Sequence, residues 1–340
     1  VGKAKLSREY CRSDLRGYSP DSTGGVSLRS IIADRHAGVR VGSFLLRPSA
    51  SQQVGYNTNI LGGPHTGSAL LTTAASLSAT SDWSRHALGA SLSVNNQAYT
   101  SLSAANYTDW AAAAGGSVNL GRDVLSLGYS HAVKHLSATD LGNFGIGYPV
   151  PYTTDDVRLG YRKNWARFVL IPSASYDYFS FGRSAGTRST ASRDTTSLSH
   201  QLEMQMLQGR FEFSQGNALV VILRGSEAQF RAVQNIVPTD YVSGGGFVGV
   251  DLRSDSLLQY RLLVGGEHRQ FTRGGGRAAQ TPTAEADVLW MPDRLDTVTL
   301  TGQRGFFGPT SPFARNQIVS LVTLNWDREL RRDLVFHGIV

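Results

Sequence analysis

From Val118 to Tyr129, hydrophobic and polar residues alternate on both sides of Gly121-Arg122-Asp123. After this turn Leu125, Leu127, Tyr129, His131 and Val133 share one face of an extended chain, with Ser126, Gly128, Ser130, Ala132 and Lys134 on the other. That is the period-two alternation of a β-strand. Before the turn Trp110, Ala112, Ala114, Gly116, Val118 and Leu120 oppose Ala111, Gly115, Ser117 and Asn119. Each arm is apolar on one side and small or polar on the other. A strand in a soluble sheet usually runs ~5–6 residues, and both arms are longer. A strand that crosses a bilayer at a tilt needs ~9–11.

The same pattern recurs along the chain. It predicts a first strand over Gly42 to Asn57, with Phe44, Leu46, Pro48, Ala50, Val54 and Tyr56 on one register, and a second over Ser68 to Ser81, ending at Asp82-Trp83. Tight turns then follow at Gly121-Arg122-Asp123, Lys163-Asn164-Trp165, Ser214-Gln215-Gly216-Asn217, Ser254-Asp255-Ser256, Pro292-Asp293-Arg294 and Arg328 to Asp333. Their centres, near residues 83, 122, 165, 216, 254, 293 and 330, are spaced 37 to 51 residues apart. Each interval holds a strand, a longer connection, a returning strand and a tight turn. The connections at 96–108, 136–152, 182–193, 232–240, 272–282 and 305–316 are long and rich in Gly, Ser, Thr and Arg. Short turns at one end and long loops at the other is the asymmetry of an outer-membrane barrel.

The expected fold is therefore all-β: a transmembrane, antiparallel, up-and-down β-barrel of about 16–18 strands, formed by residues 39–340. Residues 1–38 are polar and mixed in charge, and read as an extended or disordered segment in the periplasm or the lumen. Two strands before Trp83 and two for each interval give 14 by residue 330, with another starting at Asp333. Single-chain bacterial barrels have an even number of strands. The native polypeptide is thus expected to continue past Val340, leaving this chain incomplete at its C-terminus.

Composition narrows the class. There is no apolar run of the ~18 residues that a membrane helix needs, and 37 Gly in 340 residues argue against helices. Cys11 is the single cysteine, so neither an internal disulfide framework nor a multi-cysteine metal site is expected. The net charge is +7, and of the 33 basic residues only Lys3, Lys5, Lys134 and Lys163 are lysines, leaving 29 arginines. These are scattered along strands and loops rather than gathered on one face, which argues against nucleic acid as a partner. Guanidinium groups suit carboxylates, phosphates and sugars, in a channel or at a lipopolysaccharide surface.

The polar registers give candidate lumen-lining residues. Arg158 and Arg162 stand opposite Val157, Leu159 and Tyr161; Asp251 and Arg253 stand opposite Val248, Val250 and Leu252. Gln259, Arg261, Glu267 and Arg269 oppose Leu258, Tyr260, Leu262 and Val264, and Glu285 and Asp287 oppose Ala284, Ala286, Val288 and Trp290. An unpaired Arg or Lys on the lipid face costs ~2–4 kcal/mol at mid-bilayer, so these charges should meet the lumen, as a filter or as paired struts. Trp83, Trp165, Trp290 and Trp326 sit at or beside tight turns, as a belt at the periplasmic membrane interface would. Tyr56, Tyr107, Trp110, Tyr178 and Phe271 lie towards the other end.

Catalytic, metal and cofactor signals are absent. Gly182-Arg183-Ser184-Ala185-Gly186 has the G-x-S-x-G spacing but sits in a loop without the strand and helix of a nucleophile elbow. Gly244, Gly246 and Gly249 have the spacing of a dinucleotide-binding loop, again with no helix to follow. The eight His are dispersed, with no pair at ligand spacing beside a carboxylate, and His131 falls on an outward, interfacial register.

Val41-Gly42-Ser43-Phe44-Leu45-Leu46-Arg47-Pro48 followed by Gly55-Tyr56-Asn57-Thr58-Asn59-Ile60, with Asp82-Trp83-Ser84-Arg85-His86 and Asn106-Tyr107-Thr108-Asp109, resembles the opening of the β-barrel porin type 2 family. The resemblance runs over residues 35 to 340 and implies a bacterial outer-membrane barrel without catalytic residues. Some members of that family are similar to proteins encoded with exopolysaccharide export machinery. The expected function is a porin-like channel for polar, including anionic, solutes or for secreted exopolysaccharide. The alternative is a structural outer-membrane anchor or assembly protein whose loops or N-terminal segment bind partners, periplasmic proteins among them. Lipid and lipopolysaccharide are expected partners in either case. Single-channel conductance separates the two.

Overall fold

The computed structural model describes residues 38–61, 67–136, 148–182, 195–233, 238–254, 257–274, 276–293, 295–307, 317–331 and 334–340. The expectations for residues 1–37, for Cys11 and for Arg183 to Gly186 lie outside these residues. So do residues 255–256, 294 and 332–333 of three expected turns.

Sixteen antiparallel strands follow one another in sequence order in a single up-and-down sheet. They are β1 (Val39–Val41), β2 (Phe44–Asn57), β3 (Ser68–Ser81), β4 (His86–Tyr99), β5 (Tyr107–Leu120), β6 (Asp123–Leu136), β7 (Val150–Asn164) and β8 (Phe168–Phe181). The second half comprises β9 (His200–Ser214), β10 (Asn217–Phe230), β11 (Tyr241–Ser254), β12 (Leu258–Phe271), β13 (Ala279–Trp290), β14 (Asp296–Phe307), β15 (Gln317–Arg331) and β16 (Leu334–Ile339). From β2 to β15 each strand has 12 to 15 residues, enough for a tilted membrane crossing. The fourteen strands counted from the sequence are these. The short β1, three residues paired with Phe44 to Leu46, was not expected, because three residues are too few to show an alternation.

Turn chemistry fixes where the strands reverse. Gly121 has φ +73°, a conformation that costs a side chain energy, and it lets Leu120 pair directly with Asp123. At the β13–β14 turn the Asp293 carboxylate accepts the backbone N–H groups of Leu295 and Asp296, both at 2.7 Å. At the opposite end, two single 3-10 turns fold against apolar clusters. Ser103–Ala105 buries Ala105 beside Ile60 and Tyr99. Thr195–Leu198 buries Leu198 beside Leu136, Val150 and Tyr152.

One side of the sheet carries exposed apolar residues. Leu127, Leu159, Leu219, Val221, Leu223, Val248 and Val264 stand on it, 49% to 60% exposed. A continuous apolar surface of this kind marks a membrane or partner contact rather than a solvated wall. The other side holds most of the polar and charged residues together with buried apolar ones. Between β11 and β12 the backbones come so close that a Cβ on Gly249 would lie 1.8 Å from the Leu262 carbonyl oxygen, whereas one on Gly244 would meet nothing within 4 Å.

Two outcomes follow from this architecture. Gly249→Val should destabilise the barrel by at least about 1–3 kcal/mol through overpacking, seen as loss of the compact, heat-modifiable form in cold gel electrophoresis, while Gly244→Val keeps it; equal behaviour of the two would contradict the close approach. The two N–H groups on Asp293 hold its carboxyl below the usual carboxylate range, and a depressed folded-state value stabilises above the unfolded value of ~3.9 and loses that contribution as pH falls. The gap in thermal midpoint between the native protein and Asp293→Asn should therefore shrink as the solution is acidified from ~pH 5 to ~pH 2, and a gap independent of pH would count against it.

Candidate lumen and membrane-facing surface

All ten residues expected on the polar register lie on that side of the sheet. Asp251 faces Arg261 across β11 and β12, and Arg261 faces Asp287 across β12 and β13, so three of them form one alternating row. Arg253 and Gln259 form the next row towards the short turns. Glu267 lies 3.7 Å from Arg269 along β12, and Arg158 lies 2.9 Å from Asp156 along β7. Arg162 donates to Asn164 at 3.0 Å, near the turn. The charged residues of β11 to β13 are thus brought together, whereas Arg158 and Arg162 stand on β7, apart from that group.

Two residues that complete the group were not singled out from the sequence. Arg210 on β9 donates from Nη1 to Asp251 Oδ2 at 2.7 Å, passing over β10, with both side chains about nine-tenths buried. Arg224 on β10 reaches across β11 and β12 to Glu285 Oε1 at 3.1 Å. On the way its guanidinium lies 4.8 Å from the Phe247 ring centroid. Beneath these cations Val220, Ile222, Phe247 and Leu263 form a buried apolar cluster with Met206 against it. The arginine stems cover apolar wall while their heads meet carboxylates, which is how long basic side chains are stably placed.

Towards the long connections the polar side becomes aromatic. His200 stacks between Phe179 at 4.5 Å and Phe230 at 4.7 Å. Tyr152 stacks on Phe181 at 4.9 Å, and the Arg269 guanidinium lies 4.0 Å from the Tyr241 centroid. The aromatic set expected at this end divides between the two sides. Tyr56, Trp110 and Tyr178 are on the apolar side, but Tyr107 pairs with Gln97 and Phe271 pairs with Tyr241 on the polar side. Strand parity, rather than distance from a turn, decides which way a ring points.

Trp83, Trp165, Trp290 and Trp326 are all exposed and stand beside short turns. Trp83 packs edge-on against Phe44 at 5.7 Å, the Lys163 ammonium lies 6.0 Å from the Trp165 centroid, and Trp326 Nε1 donates to Asp296 at 2.7 Å. On the apolar side His131 and the Tyr129 hydroxyl both bond Asp155 at 2.7 Å. Gly244, Gly246 and Gly249 lie within β11, which leads into β12 and not into a helix. Among the described residues no group of three or more His, Cys, Asp or Glu could hold a metal ion.

A family model described as "Putative beta-barrel porin 2" matches residues 35–340. The chain belongs to this family. Its place is the bacterial outer membrane, with the apolar side of the sheet against lipid and lipopolysaccharide around it. Among solved structures it is similar to the siderophore receptor PirA from Acinetobacter baumannii, at 8% identity and TM-score 0.48, over 87% of this chain and 51% of that one. It is also similar to PirA from Pseudomonas aeruginosa, at 14% identity and TM-score 0.41, over 84% and 53% of the two chains. A third is the ferric-catecholate import receptor Fiu from E. coli K12, at 9% identity and TM-score 0.44, over 86% and 58%. The chain spans between half and three-fifths of the length of these three structures. No curated protein matches it.

The Arg210–Asp251 pair gives a direct test. Replacing Arg210 alone by Ala removes the cation 2.7 Å from the buried Asp251 carboxylate and should cost about 3–5 kcal/mol of folding free energy in urea titrations in detergent or vesicles, and replacing both residues by apolar ones of similar volume should restore much of that. A loss below about 1 kcal/mol for Arg210→Ala, the value of an exposed pair, would show that the pair is not a structural tie.

Proposed function

We propose that the chain forms an aqueous channel through the outer membrane for polar solutes, anions among them, with Arg158, Arg162, Asp251, Arg253, Gln259, Arg261, Glu267, Arg269, Glu285 and Asp287 facing the lumen. The observation that carries this reading is the Asp251–Arg261–Asp287 row on the side of the sheet opposite the exposed apolar residues. Membership of the porin family supports it. Rings of charged side chains in a pore set its ion preference, with Arg favouring anions and carboxylates cations, so the five arginines of this set against its four carboxylates give a mild anion preference. Secreted exopolysaccharide is the larger cargo under the same reading, since sugar hydroxyls suit guanidinium and carboxylate groups alike. Trp83, Trp165, Trp290 and Trp326 then form the periplasmic interface belt.

A second reading has its own observation. Arg210 and Arg224 tie separate strands together over a buried apolar cluster, which is what a barrel kept as a structural anchor would use to fill its interior. Its loops or residues 1–38 would then bind partners, periplasmic proteins among those of residues 1–38.

Planar-bilayer recording distinguishes the two. The channel reading expects discrete conductance steps, a reversal potential of anionic sign in a salt gradient, and a shift of that potential towards cations in Arg253→Ala/Arg261→Ala. Absence of steps from folded protein favours the anchor, and cation preference in the native protein removes the assignment of anions.

A further inference from the structure

The lipid-facing side of β6 to β10 is not smooth. Pro172 and Ala174 on β8 form the floor of a groove whose walls are Leu125 and Leu159 on one flank and Leu207 and Leu223 on the other, with a volume of about 620 Å³. That lies within the ~300–1,000 Å³ typical of small-ligand cavities. The small side chains on β8 leave the hollow, and its walls are mostly hydrocarbon, with Tyr161 and the Gln205 side chain beside Ala174 completing the lining. It lies in a surface whose surroundings are acyl chains, so a chain of a membrane lipid is the occupant that its chemistry fits.

Directly beyond the groove, towards the long connections, the same face turns polar in an ordered way. The Tyr176 hydroxyl donates to Gln201 Oε1 at 2.9 Å, Gln201 Nε2 to Gln229 Oε1 at 2.7 Å, and Gln229 Nε2 to Glu227 Oε1 at 2.7 Å. Glu227 faces Glu203 directly across the β9–β10 ladder. Long connections lie on the outer side of such barrels, so this shelf is at the level of the outer-leaflet headgroups. Arg231, exposed and one residue past β10, continues the register of Glu227 and Gln229, its backbone N–H bonding the Ser199 carbonyl at 2.8 Å. Hydroxyl and amide groups can pair with glutamine and tyrosine as donors and as acceptors.

We propose that this groove and shelf form a binding site for an outer-leaflet glycolipid, a lipopolysaccharide whose acyl chain lies along Pro172 and Ala174 while the hydroxyl and amide groups of its amino-sugar headgroup bond the Tyr176, Gln201 and Gln229 side chains. The site rests on the apolar side meeting lipid and not on whether the lumen conducts. The two ideas can fail separately.

The test is to purify the protein from outer membranes in mild detergent and to measure the hydroxylated fatty acids of lipid A retained per folded chain. Ala174→Trp fills the groove from its lipid-exposed floor, Gln201→Leu removes the middle of the shelf, and Val221→Trp alters the same face outside the groove. A roughly tenfold fall in retained glycolipid for Ala174→Trp, a smaller fall for Gln201→Leu and none for Val221→Trp supports the site. Cold gel mobility confirms that each variant is folded, and Gln201→Leu alone decides the matter if the tryptophan variant is not. Unchanged glycolipid in both groove and shelf variants overturns the proposal. So does loss of phospholipid instead, or a shift from dimer to monomer with no change in lipid, which would assign the groove to a second copy of this chain.

Discussion

In hydrocarbon no water is present to satisfy a backbone N–H or C=O, and every such group must find its partner within the protein. This requirement governs the structure more than any side-chain contact. It explains why Ala111 to Ala114, the residue type with the highest helix propensity, lie in β5: the ladders of β4 and β6 claim both edges of that segment. It explains the strand lengths as well, because a ladder must extend across the whole apolar layer before the chain can reverse. Local preference is overridden by the pairing of neighbours, and the sequence concedes the point only at the turns, where glycine and aspartate take over.

The polar side of the sheet obeys a different economy. Arg210 and Arg224 are set against carboxylates on other strands and Arg158 and Arg269 against carboxylates on their own, and Arg224 lies over Phe247 rather than over open space. Arg224 crosses two strands to reach Glu285, and the rows beneath it contain Gly245 and Gly265, whose lack of side chains keeps the path low. Desolvating an ion pair costs more than it returns unless the geometry is good and the remaining donors are used. The stacking of guanidinium on Phe247 and Tyr241 contributes to that geometry. The same residues therefore fit both a filter and a set of braces, and conductance rather than inspection separates these roles.

The strands, their registers and most turns were legible in the sequence because a half-lipid, half-lumen wall must alternate with period two over a dozen residues. What escaped notice did so for physical reasons. β1 is too short to alternate. Arg224 follows Ala218 to Leu223, a run apolar on both faces because Val220 and Ile222 fill the inner cluster, so no polar register announced it. Arg210 was visible in principle, since Gln208, Arg210 and Glu212 alternate with Gly209, Phe211 and Phe213. Tyr107 and Phe271 were grouped with the outer aromatics by their height in the strand, although Phe271 shares the parity of Arg269. The groove on β8 could not be read at all, because it arises from side-chain sizes on five neighbouring strands.

The connection from Arg224 to Glu285 joins strands that share no backbone ladder. Ladder hydrogen bonds set the spacing of adjacent strands but leave the angle between them soft, as the hinges of a folding screen do. A tie that spans three hinges acts as a chord across an arc. It fixes local curvature, so that lateral pressure from the bilayer meets a wall of set radius on this side and a more compliant one where such chords are lacking.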